Sequence, residues 1–314
     1  MIFGEGQLKD LYRRGLWGPG RPALERLPVP WEHRAVRSLG RVACELARAK
    51  RGQVAQNLTR AFPSGQVPDG RDVTQVVSDA FASHFANQYI SFSFAKCTSQ
   101  TWPQYLAFQG LEKLEAARSR GRGLIIAHPH MGPAQLPLHV LGTLGWPVVQ
   151  VGGGRITEVE LSDTGRWAAQ QRAMLESRMP VRLHDGRRYL RPVLRHLQGG
   201  GVVMSAADGT GGGEEIGQRM LCEVLGHDFP LPMGPAWMAL QTGAALIPMC
   251  CVRNPGDGPL YLAVVGDEIA MEGTGRAAVE AGTVSLGRWL DGVLRAYPGD
   301  WLFWDGFRPG GLLP

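Results

Sequence analysis

Two histidines follow an apolar run near the middle of the chain. The run covers 124–127, and His128 and His130 come directly after it in a segment punctuated by proline and glycine. A buried strand that ends in such a turn is where an open α/β sheet places its chemistry, because ligands bind beyond the carboxyl ends of the strands. An imidazole can take a proton from a reacting group near neutral pH. His130 is therefore a candidate general base, and the alternative is a loop histidine whose ring is satisfied by backbone groups.

A second apolar run also ends in a polar loop. Residues 202–207 read as a buried strand, and Asp208, Gly209 and Thr210 follow it. If both strands belong to one sheet, their loops face the same crevice, and Asp208 can supply a charge there. Asp208 can instead order its own glycine-rich loop by accepting backbone N–H bonds. Gly209 and Thr210 are candidates for substrate contact, and Thr210 is the weaker of the two.

A glycine run with an arginine follows another predicted strand, at 152–155. Successive glycine amides can cradle a phosphate, and Arg155 can pair with a phosphate or carboxylate of a substrate. The spacing matches neither nucleotide-binding glycine motif, so a flexible loop with a surface arginine is the other interpretation. The pair of histidines at 128 and 130 could also be half of a metal site, but no Asp or His continuation follows. We therefore expect no metal.

The elements that must position these residues have the pattern of an α/β fold. From about residue 106, short apolar runs alternate with amphipathic helical stretches and short connections, which predicts a mostly parallel sheet covered by helices. A hairpin pairing of 245–252 with 260–265 would make the sheet mixed, and 220–229 is predicted as an edge segment. A last helix, over about 279–297, precedes a tail rich in tryptophan and phenylalanine.

The first 105 residues carry a different pattern. Apolar positions recur at helical spacing over about 32–62 and again over 72–94, which predicts a long helix or two and then another helix. Residues 1–31 mix aromatics with basic side chains, and form either a short amphipathic helix in a lipid headgroup layer or an arm packed against the protein body. We interpret residues 1–314 as a single domain, with 1–105 as an N-terminal arm and helices and 106–314 as the α/β core.

Composition limits the partners of the chain. Of its 33 basic residues all but four are arginines, and the formal net charge is +5. Because arginine grips phosphate and carboxylate bidentately, this favours an anionic partner such as a phospholipid headgroup, a pantetheine phosphate or an acidic carrier protein. A solvated basic surface is the other explanation. Nucleic acid is disfavoured, because the arginines are dispersed and no recognition motif accompanies them.

Composition also indicates a compartment. The 5 cysteines show no metal-ligand spacing, and their odd number argues against a disulfide framework, so we expect a reducing compartment. We recognise no signal-peptide pattern and no apolar run of about 20 residues that could span a bilayer. The expected location is the cytoplasm, with any membrane contact peripheral and on the inner face.

The order of the segments resembles the lysophospholipid acyltransferase superfamily, and in particular its branch of bacterial late lipid A (lauroyl or myristoyl) and phosphatidylinositol mannoside acyltransferases. The resemblance covers roughly residues 27–308. Five motifs carry it in order: Asn57-Leu58 with 60–63, the strand and histidine loop 123–135, Ala207-Asp208-Gly209-Thr210, the segment 232–248, and Tyr297-Pro298 with 301–304.

This resemblance implies an acyl transfer in which His130 takes the proton of an acceptor as it attacks the thioester of acyl carrier protein or coenzyme A. The acyl thioester is then a co-substrate, and no further cofactor is implied. In the family an acid five residues after the histidine fixes the imidazole tautomer, whereas Gln135 stands there in this chain. The Gln135 carbonyl can accept a hydrogen bond from Nδ1–H but brings no charge, and Asp208 and His128 are the nearest candidates to replace it.

Two further departures from the family pattern are the sequence Asp305-Gly306, where the family has basic residues, and the absence of a recognisable membrane-spanning N-terminal helix. Two functions remain open. The first is an acyltransferase with a specialised hydroxyl or amine acceptor, either a lipid or a small molecule, in which His128, Arg155, Gly209 and Thr210 contact substrate. The second is an inactive relative that binds a lipid or a carrier protein. Because His130 and Asp208 are both retained, we favour the enzyme.

Overall fold

A seven-stranded, mostly parallel sheet forms the centre of the protein, and helices cover both of its faces. The computed structural model describes residues 5–63, 67, 70–152, 161–209 and 217–307. The strands of the chain are β1 (Leu106–Gln109), β2 (Leu124–His128), β3 (Val148–Gly152), β4 (Arg182–Asp185), β5 (Val202–Ala206), β6 (Arg219–Val224), β7 (His227–Pro232), β8 (Ala245–Arg253) and β9 (Tyr261–Val265). The predicted α/β class is thereby confirmed.

The helices fall into an N-terminal group and a group interleaved with the strands. The first group is α1 (Glu5–Gly15), α2 (Arg21–Glu25), α3 (Val29–Leu46), α4 (Arg48–Ala61) and α5 (Val73–Tyr89). The second is α6 (Leu111–Ser119), α7 (Gln135–Thr143), α8 (Asp163–Glu176), α9 (Arg191–Gln198), α10 (Gly234–Thr242) and α11 (Gly275–Ala296). The predicted N-terminal helical region is present, and the long stretch over 32–62 is two helices that meet at Ala47.

The strand order is β1-β9-β8-β2-β5-β3-β4. Strand β2 lies at the centre, paired in parallel with β8 on one side and β5 on the other. Strands β8 and β9 pair antiparallel, as the hairpin prediction requires, while the other neighbours in this sheet are parallel. The sheet is therefore mixed.

Strand β2 is buried on both faces because helices cover both sides of the sheet. Leu124 and Ile126 contribute to the core on one face, and Ile125 and Ala127 to the core on the other. This alternation follows from the two-residue period of a strand. It explains why the run is continuously apolar instead of alternating with polar residues.

The segment 220–229 is not an edge of the main sheet, as its sequence had indicated. It belongs to a separate antiparallel hairpin of β6 and β7. Cys222 and Leu231 of this hairpin pack against α11 at Gly287, where an added Cβ would lie 3.0 Å from Cys222 Cβ. The apolar side of the hairpin is thus buried against a helix, and its two strands pair with each other instead of with the main sheet.

The aromatic residues after α11 form the last part of the described chain, and we call residues 298–307 the closing segment. Three of its aromatic side chains, Trp301, Trp304 and Phe307, are fully buried in one cluster with residues of α4, α5 and the β6–β7 hairpin. The side chains of Gln53 and Asn57 on α4 donate hydrogen bonds, both 2.7 Å long, to its carbonyls at Asp305 and Trp304. The N-terminal helices therefore hold the closing segment in place.

The arm before α3 packs against the protein body. Trp17 and Leu24 are buried with Phe85 and Tyr89 of α5, and the Trp17 ring lies edge-on to Phe92 at a centroid distance of 4.8 Å.

None of the helices in the described ranges has the length and the apolar character that a membrane span requires.

Helices α3 and α5 approach most closely at a glycine. An added Cβ at Gly40 would lie 2.7 Å from both Ala82 Cα and the Phe81 carbonyl oxygen, whereas one at Gly52, on the exposed face of α4, would meet nothing within 4 Å. We therefore expect Gly40→Ala to lower the free energy of unfolding by about 1–3 kcal/mol through overpacking. Gly52→Ala should raise it by up to about 1 kcal/mol through helix propensity. Urea unfolding measures both, and equal shifts would contradict the close approach of the two helices.

Candidate active site

The sheet register brings His130 and Asp208 together. Strands β2 and β5 are parallel neighbours, and His128 is paired with Ala206 at their carboxyl ends. His130 and Asp208 each lie two residues beyond these partners, so they leave the sheet at the same level. The two strand ends thus place His130 and Asp208 side by side.

The Asp208 carboxylate accepts three hydrogen bonds. One oxygen, Oδ1, lies 2.7 Å from His130 Nδ1. The other, Oδ2, accepts the His130 backbone N–H at 2.8 Å and the Trp301 indole N–H at 3.0 Å. Asp208 is only 1% exposed, so these donors replace the water that a carboxylate would otherwise bind.

The carboxylate determines which nitrogen of His130 carries the proton. An ionised carboxylate can only accept hydrogen bonds, so Nδ1 is the donor, and the neutral ring keeps its lone pair on Nε2. Within the described chain no protein group hydrogen-bonds Nε2, and the His130 side chain is 26% exposed. The Phe303 ring packs against the imidazole at a centroid distance of 4.6 Å. The ring is thus held through Nδ1 and by Phe303, while the side chain stays partly exposed.

The electrostatics of the site follow from burial and from this pairing. Burial favours the neutral form of Asp208, but the nearby His130 charge and the hydrogen bonds from His130 and Trp301 outweigh it and lower the pKa of the carboxyl. The neighbouring ring of His128 is almost fully buried, and burial, with the His130 charge, lowers its pKa to about 4. His128 is therefore neutral at physiological pH and adds no charge to the site.

The closing segment completes the loop that carries His130. Leu302 N–H donates to the His130 carbonyl at 3.0 Å, and Gly132 N–H donates to the Asp300 carbonyl at 2.7 Å. Gly132 has φ of +49°, and an added Cβ would lie 2.7 Å from the Cys251 carbonyl oxygen. Only glycine fits there without moving β8, which explains the glycine in the histidine loop.

A buried polar network connects Asp300 to the N-terminal helices. The Asp300 carboxylate accepts a hydrogen bond of 2.6 Å from the Ser83 hydroxyl of α5 and one of 3.2 Å from Arg253 N–H. Arg37 of α3 donates to the same Ser83 oxygen at 3.3 Å and pairs with Asp79. This network fixes the residue before Trp301, and with it the indole that holds Asp208.

Gln135 does not make the hydrogen bond to His130 that the resemblance suggested. It is the first residue of α7, and its side-chain oxygen is buried without a hydrogen-bond partner in the described chain. Asp208 already occupies Nδ1, so the charge partner of the imidazole comes from the neighbouring strand instead of from the helix after the loop.

The other predicted site residues have different positions. Gly209 follows Asp208 with φ of +126°, a conformation that favours glycine. His128 ends β2 with its ring centroid 5.7 Å from that of His130, and its burial leaves little surface for a substrate. Arg155 and Thr210 lie outside the described residues. Among the residues that the structure describes, no cluster of His, Cys, Asp and Glu could hold a metal ion.

An apolar groove of about 440 Å³ lies beside the closing segment. Its walls come from α1, α3, α4 and α5, and from Trp301, Leu302 and Trp304. His130 and Asp208 do not line it. Trp301 and Leu302 connect the two: both line the groove, and they donate hydrogen bonds to the Asp208 carboxylate and the His130 carbonyl.

Comparison with protein families adds an independent observation. The model of the family described as bacterial lipid A biosynthesis acyltransferase matches residues 21–304. The chain belongs to this family. A search of curated proteins finds no match. Membership in this acyltransferase family supports acyltransferase activity in general, and the matched range includes helices α2 to α5, the His130 loop, Asp208 and most of the closing segment.

Sequence reasoning missed the role of Trp301 and Phe303 in this acyltransferase-family site. Both belong to the aromatic motif near the end of the chain, which indicated membership but not a contact of Trp301 with Asp208 or of Phe303 with His130. The sequence signal that could have pointed to Trp301 is its indole N–H, because a buried tryptophan in an aromatic cluster needs a hydrogen-bond acceptor.

The pH dependence of stability tests the buried carboxylate. Because the pKa of Asp208 lies below the ordinary 3.8, its ionised form stabilises the fold above about pH 5, and this contribution is lost as pH falls through the folded pKa. Asp208→Asn removes the negative charge and replaces one accepting oxygen by an NH₂ group, which cannot accept from the donors around it. It should lower the free energy of unfolding by roughly 2–4 kcal/mol at pH 7. The deficit should shrink as pH falls below the ordinary carboxyl pKa of 3.8 and through the lower pKa of folded Asp208, since a protonated Asp208 also presents a donor to these donors.

Urea unfolding across this pH range measures the deficit, and Asp257→Asn, in the exposed loop before β9, is the control. A deficit that stays constant with pH would mean that Asp208 is not ionised in the fold.

Proposed function

We propose that the protein transfers an acyl group from a thioester of acyl carrier protein or coenzyme A to the hydroxyl or amine of a lipid or small-molecule acceptor. His130 is the general base. The observation that carries this proposal is the pair of His130 and Asp208, in which Nδ1 donates to a buried carboxylate and Nε2 keeps a lone pair on a side chain that is 26% exposed.

The chemistry follows from that arrangement. His130 Nε2 takes the proton of the acceptor O–H or N–H as the oxygen or nitrogen attacks the thioester carbonyl carbon. The carbon–sulfur bond then breaks, and the imidazolium returns the proton to the departing thiolate. Asp208 holds the reactive tautomer and stabilises the imidazolium that forms between the two transfers. The charge that Gln135 cannot supply therefore comes from Asp208.

The apolar groove supports a donor or acceptor with a hydrocarbon chain. It is lined by aliphatic and aromatic side chains, and Lys9 and Lys50 also line it. Such a surface matches a chain with an anionic group at one end. The shared closing segment places this groove next to the His130 loop.

An exposed apolar stripe on α3 supports peripheral contact with a membrane. Trp31, Leu39, Val42 and Leu46 are spaced three, four or eight residues apart, and their side chains are 60%, 36%, 56% and 54% exposed. Leu39, Val42 and Leu46 also form an outer wall of the groove. Nearby exposed cations at Arg34, Arg41, Arg48 and Lys50 suit anionic headgroups. We place the protein in the cytoplasm, on the inner face of the membrane, with no role for nucleic acid.

A turnover assay with defined acyl thioesters tests the reaction. Mass spectrometry would follow loss of acyl carrier protein and coenzyme A thioesters in the presence of candidate acceptors. His130→Ala should abolish transfer, and Asp208→Asn should lower the rate by about 10³–10⁴, as the loss of tautomer control does in a serine protease triad. Gln135→Ala should keep the rate within about threefold, because Gln135 does not touch His130.

Unchanged turnover in His130→Ala would contradict the general base. Tight binding of an acyl thioester with no turnover by the unmodified protein would favour the alternative function, an inactive relative that binds a lipid or a carrier protein. Circular dichroism of each variant separates loss of chemistry from loss of fold.

The membrane contact has its own test. Replacing Leu39, Val42 and Leu46 together by glutamine removes apolar area from the exposed stripe and should lower co-sedimentation with phosphatidylglycerol-containing vesicles at least tenfold. Leu183 and Leu221 are as exposed but lie on β4 and β6, so their double replacement by glutamine is the matched control. Equal loss in both variants would contradict a defined docking surface.

A further inference from the structure

The basic excess of the chain is concentrated in one stretch beside the sheet. Residues 177–207 contain six arginines and a single acidic residue, Asp185, an excess as large as the formal net charge of +5 on the whole chain. This stretch includes β4, which is the last strand in the sheet order, and helix α9. Neither the proposed chemistry at His130 nor the apolar groove uses it.

From the start of β4 to the last turn of α9 every arginine is exposed. We call these residues the basic edge: Arg182, Arg187, Arg188, Arg191 and Arg195. Arg187 pairs with Asp185 at 2.8 Å. The other four guanidinium groups make no ion pair within the part of the chain that the structure describes, so their charge is available to a partner.

The basic edge is a row of cations on an open surface. Arg191 and Arg195 are four residues apart on α9 and share one face of the helix, and Arg188 lies in the turn just before it. An eight-residue helix such as α9 is about 12 Å long. The Tyr189 side chain, beside Arg188, is 74% exposed. Because arginine and tyrosine are enriched in protein interfaces, a row of this composition suits an extended acidic protein face.

The sheet register places one end of this row at the same edge of the sheet as the candidate active site. Strands β2, β5, β3 and β4 are all parallel, and their successive register partners are Ala127, Ser205, Val151 and His184. His130 and Arg187 each lie three residues beyond these partners, at the carboxyl ends of their strands. Since neighbouring strands are about 4.8 Å apart, β4 lies about 14 Å from β2. A partner held at the basic edge therefore stands to the side of His130.

We propose that the basic edge docks an acidic carrier protein that presents the acyl thioester to His130. This inference rests on the proposed function and assigns the carrier protein, instead of coenzyme A, as the donor. An acidic face complements the unpaired arginines and steers the encounter. The flexible phosphopantetheine arm of the carrier can cover the distance of about 14 Å between β4 and β2.

Two other anionic partners fit the basic edge less well. Coenzyme A carries its phosphates on one small molecule, which can engage only part of a row that runs the length of α9. A membrane surface is already matched by the exposed apolar stripe on α3, and the basic edge shares no residue with that stripe. The carrier protein is the partner whose size and charge match the whole row.

Fluorescence anisotropy with labelled holo acyl carrier protein, which bears no acyl group, measures docking separately from chemistry. We expect saturable binding to the full chain at low salt, which weakens as the ionic strength rises because exposed charges are screened. Arg188→Glu combined with Arg191→Glu should weaken binding at least tenfold, since two attractive charges become repulsive.

The matched control is Arg122→Glu combined with Arg276→Glu. Both arginines are exposed and lie outside the basic edge, and Arg276 is near the start of α11 as Arg191 is at the start of α9. This control changes the net charge by the same amount, and we expect it to leave carrier binding within about twofold of the unmodified protein.

Turnover supplies a second readout. With an acyl carrier protein thioester, the Arg188→Glu, Arg191→Glu variant should have a higher KM and an unchanged kcat, because it loses binding energy that is equal in the ground state and the transition state. With a coenzyme A thioester it should match the unmodified protein. Carrier binding that depends on the basic edge, without any turnover, would support the docking surface and contradict the proposed acyl transfer.

Three results would overturn the proposal. The first is no binding of holo acyl carrier protein by the unmodified protein at low salt. The second is equal carrier binding by the two double variants. The third is loss of binding to phosphatidylglycerol vesicles in the Arg188→Glu, Arg191→Glu variant with carrier binding intact, which would identify the basic edge as a lipid contact.

Discussion

The contact between the buried Asp208 carboxylate and the His130 ring is the interaction on which the rest of the site depends. A carboxylate that is 1% exposed loses its hydration, and it stays charged only if protein donors replace the lost water. The three donors come from the His130 ring, the His130 backbone and the Trp301 indole. The histidine loop and the closing segment must therefore both be in place before the His130 ring has its charge partner.

Asp208 comes from the end of β5, which explains how His130 has an acidic partner although Gln135 stands five residues after it. Neighbouring parallel strands end together, and residues at equal distances beyond them meet. Asp208 uses this geometry to reach Nδ1 from the side of β5, whereas Gln135 begins the helix that follows the loop. The imidazole has a charged partner and a defined tautomer, although the acid belongs to a different element.

The N-terminal helices have two physical roles in this arrangement. Through Ser83 and Arg37 they hold Asp300, and through Gln53 and Asn57 they hold the carbonyls of the closing segment. They also form most of the apolar groove, so one set of helices supports both the Asp208 donor and the surface that suits an acyl chain. In this way the same helices form the apolar groove and support the closing segment that contacts the His130–Asp208 pair.

The sequence alone determined the fold class, the strands that carry His130 and Asp208, and the family, because these depend on local patterns. Continuous apolar runs predicted buried strands, and the ordered motifs indicated an acyltransferase relative. The tertiary structure decided the rest. The partner of His130, the indole that holds Asp208 and the separate β6–β7 hairpin depend on contacts between residues far apart in sequence, and neither periodicity nor residue type encodes which of several candidates meet. Gln135 and Asp208 both suited Nδ1 by chemistry, and only the register of β2 against β5 selected Asp208.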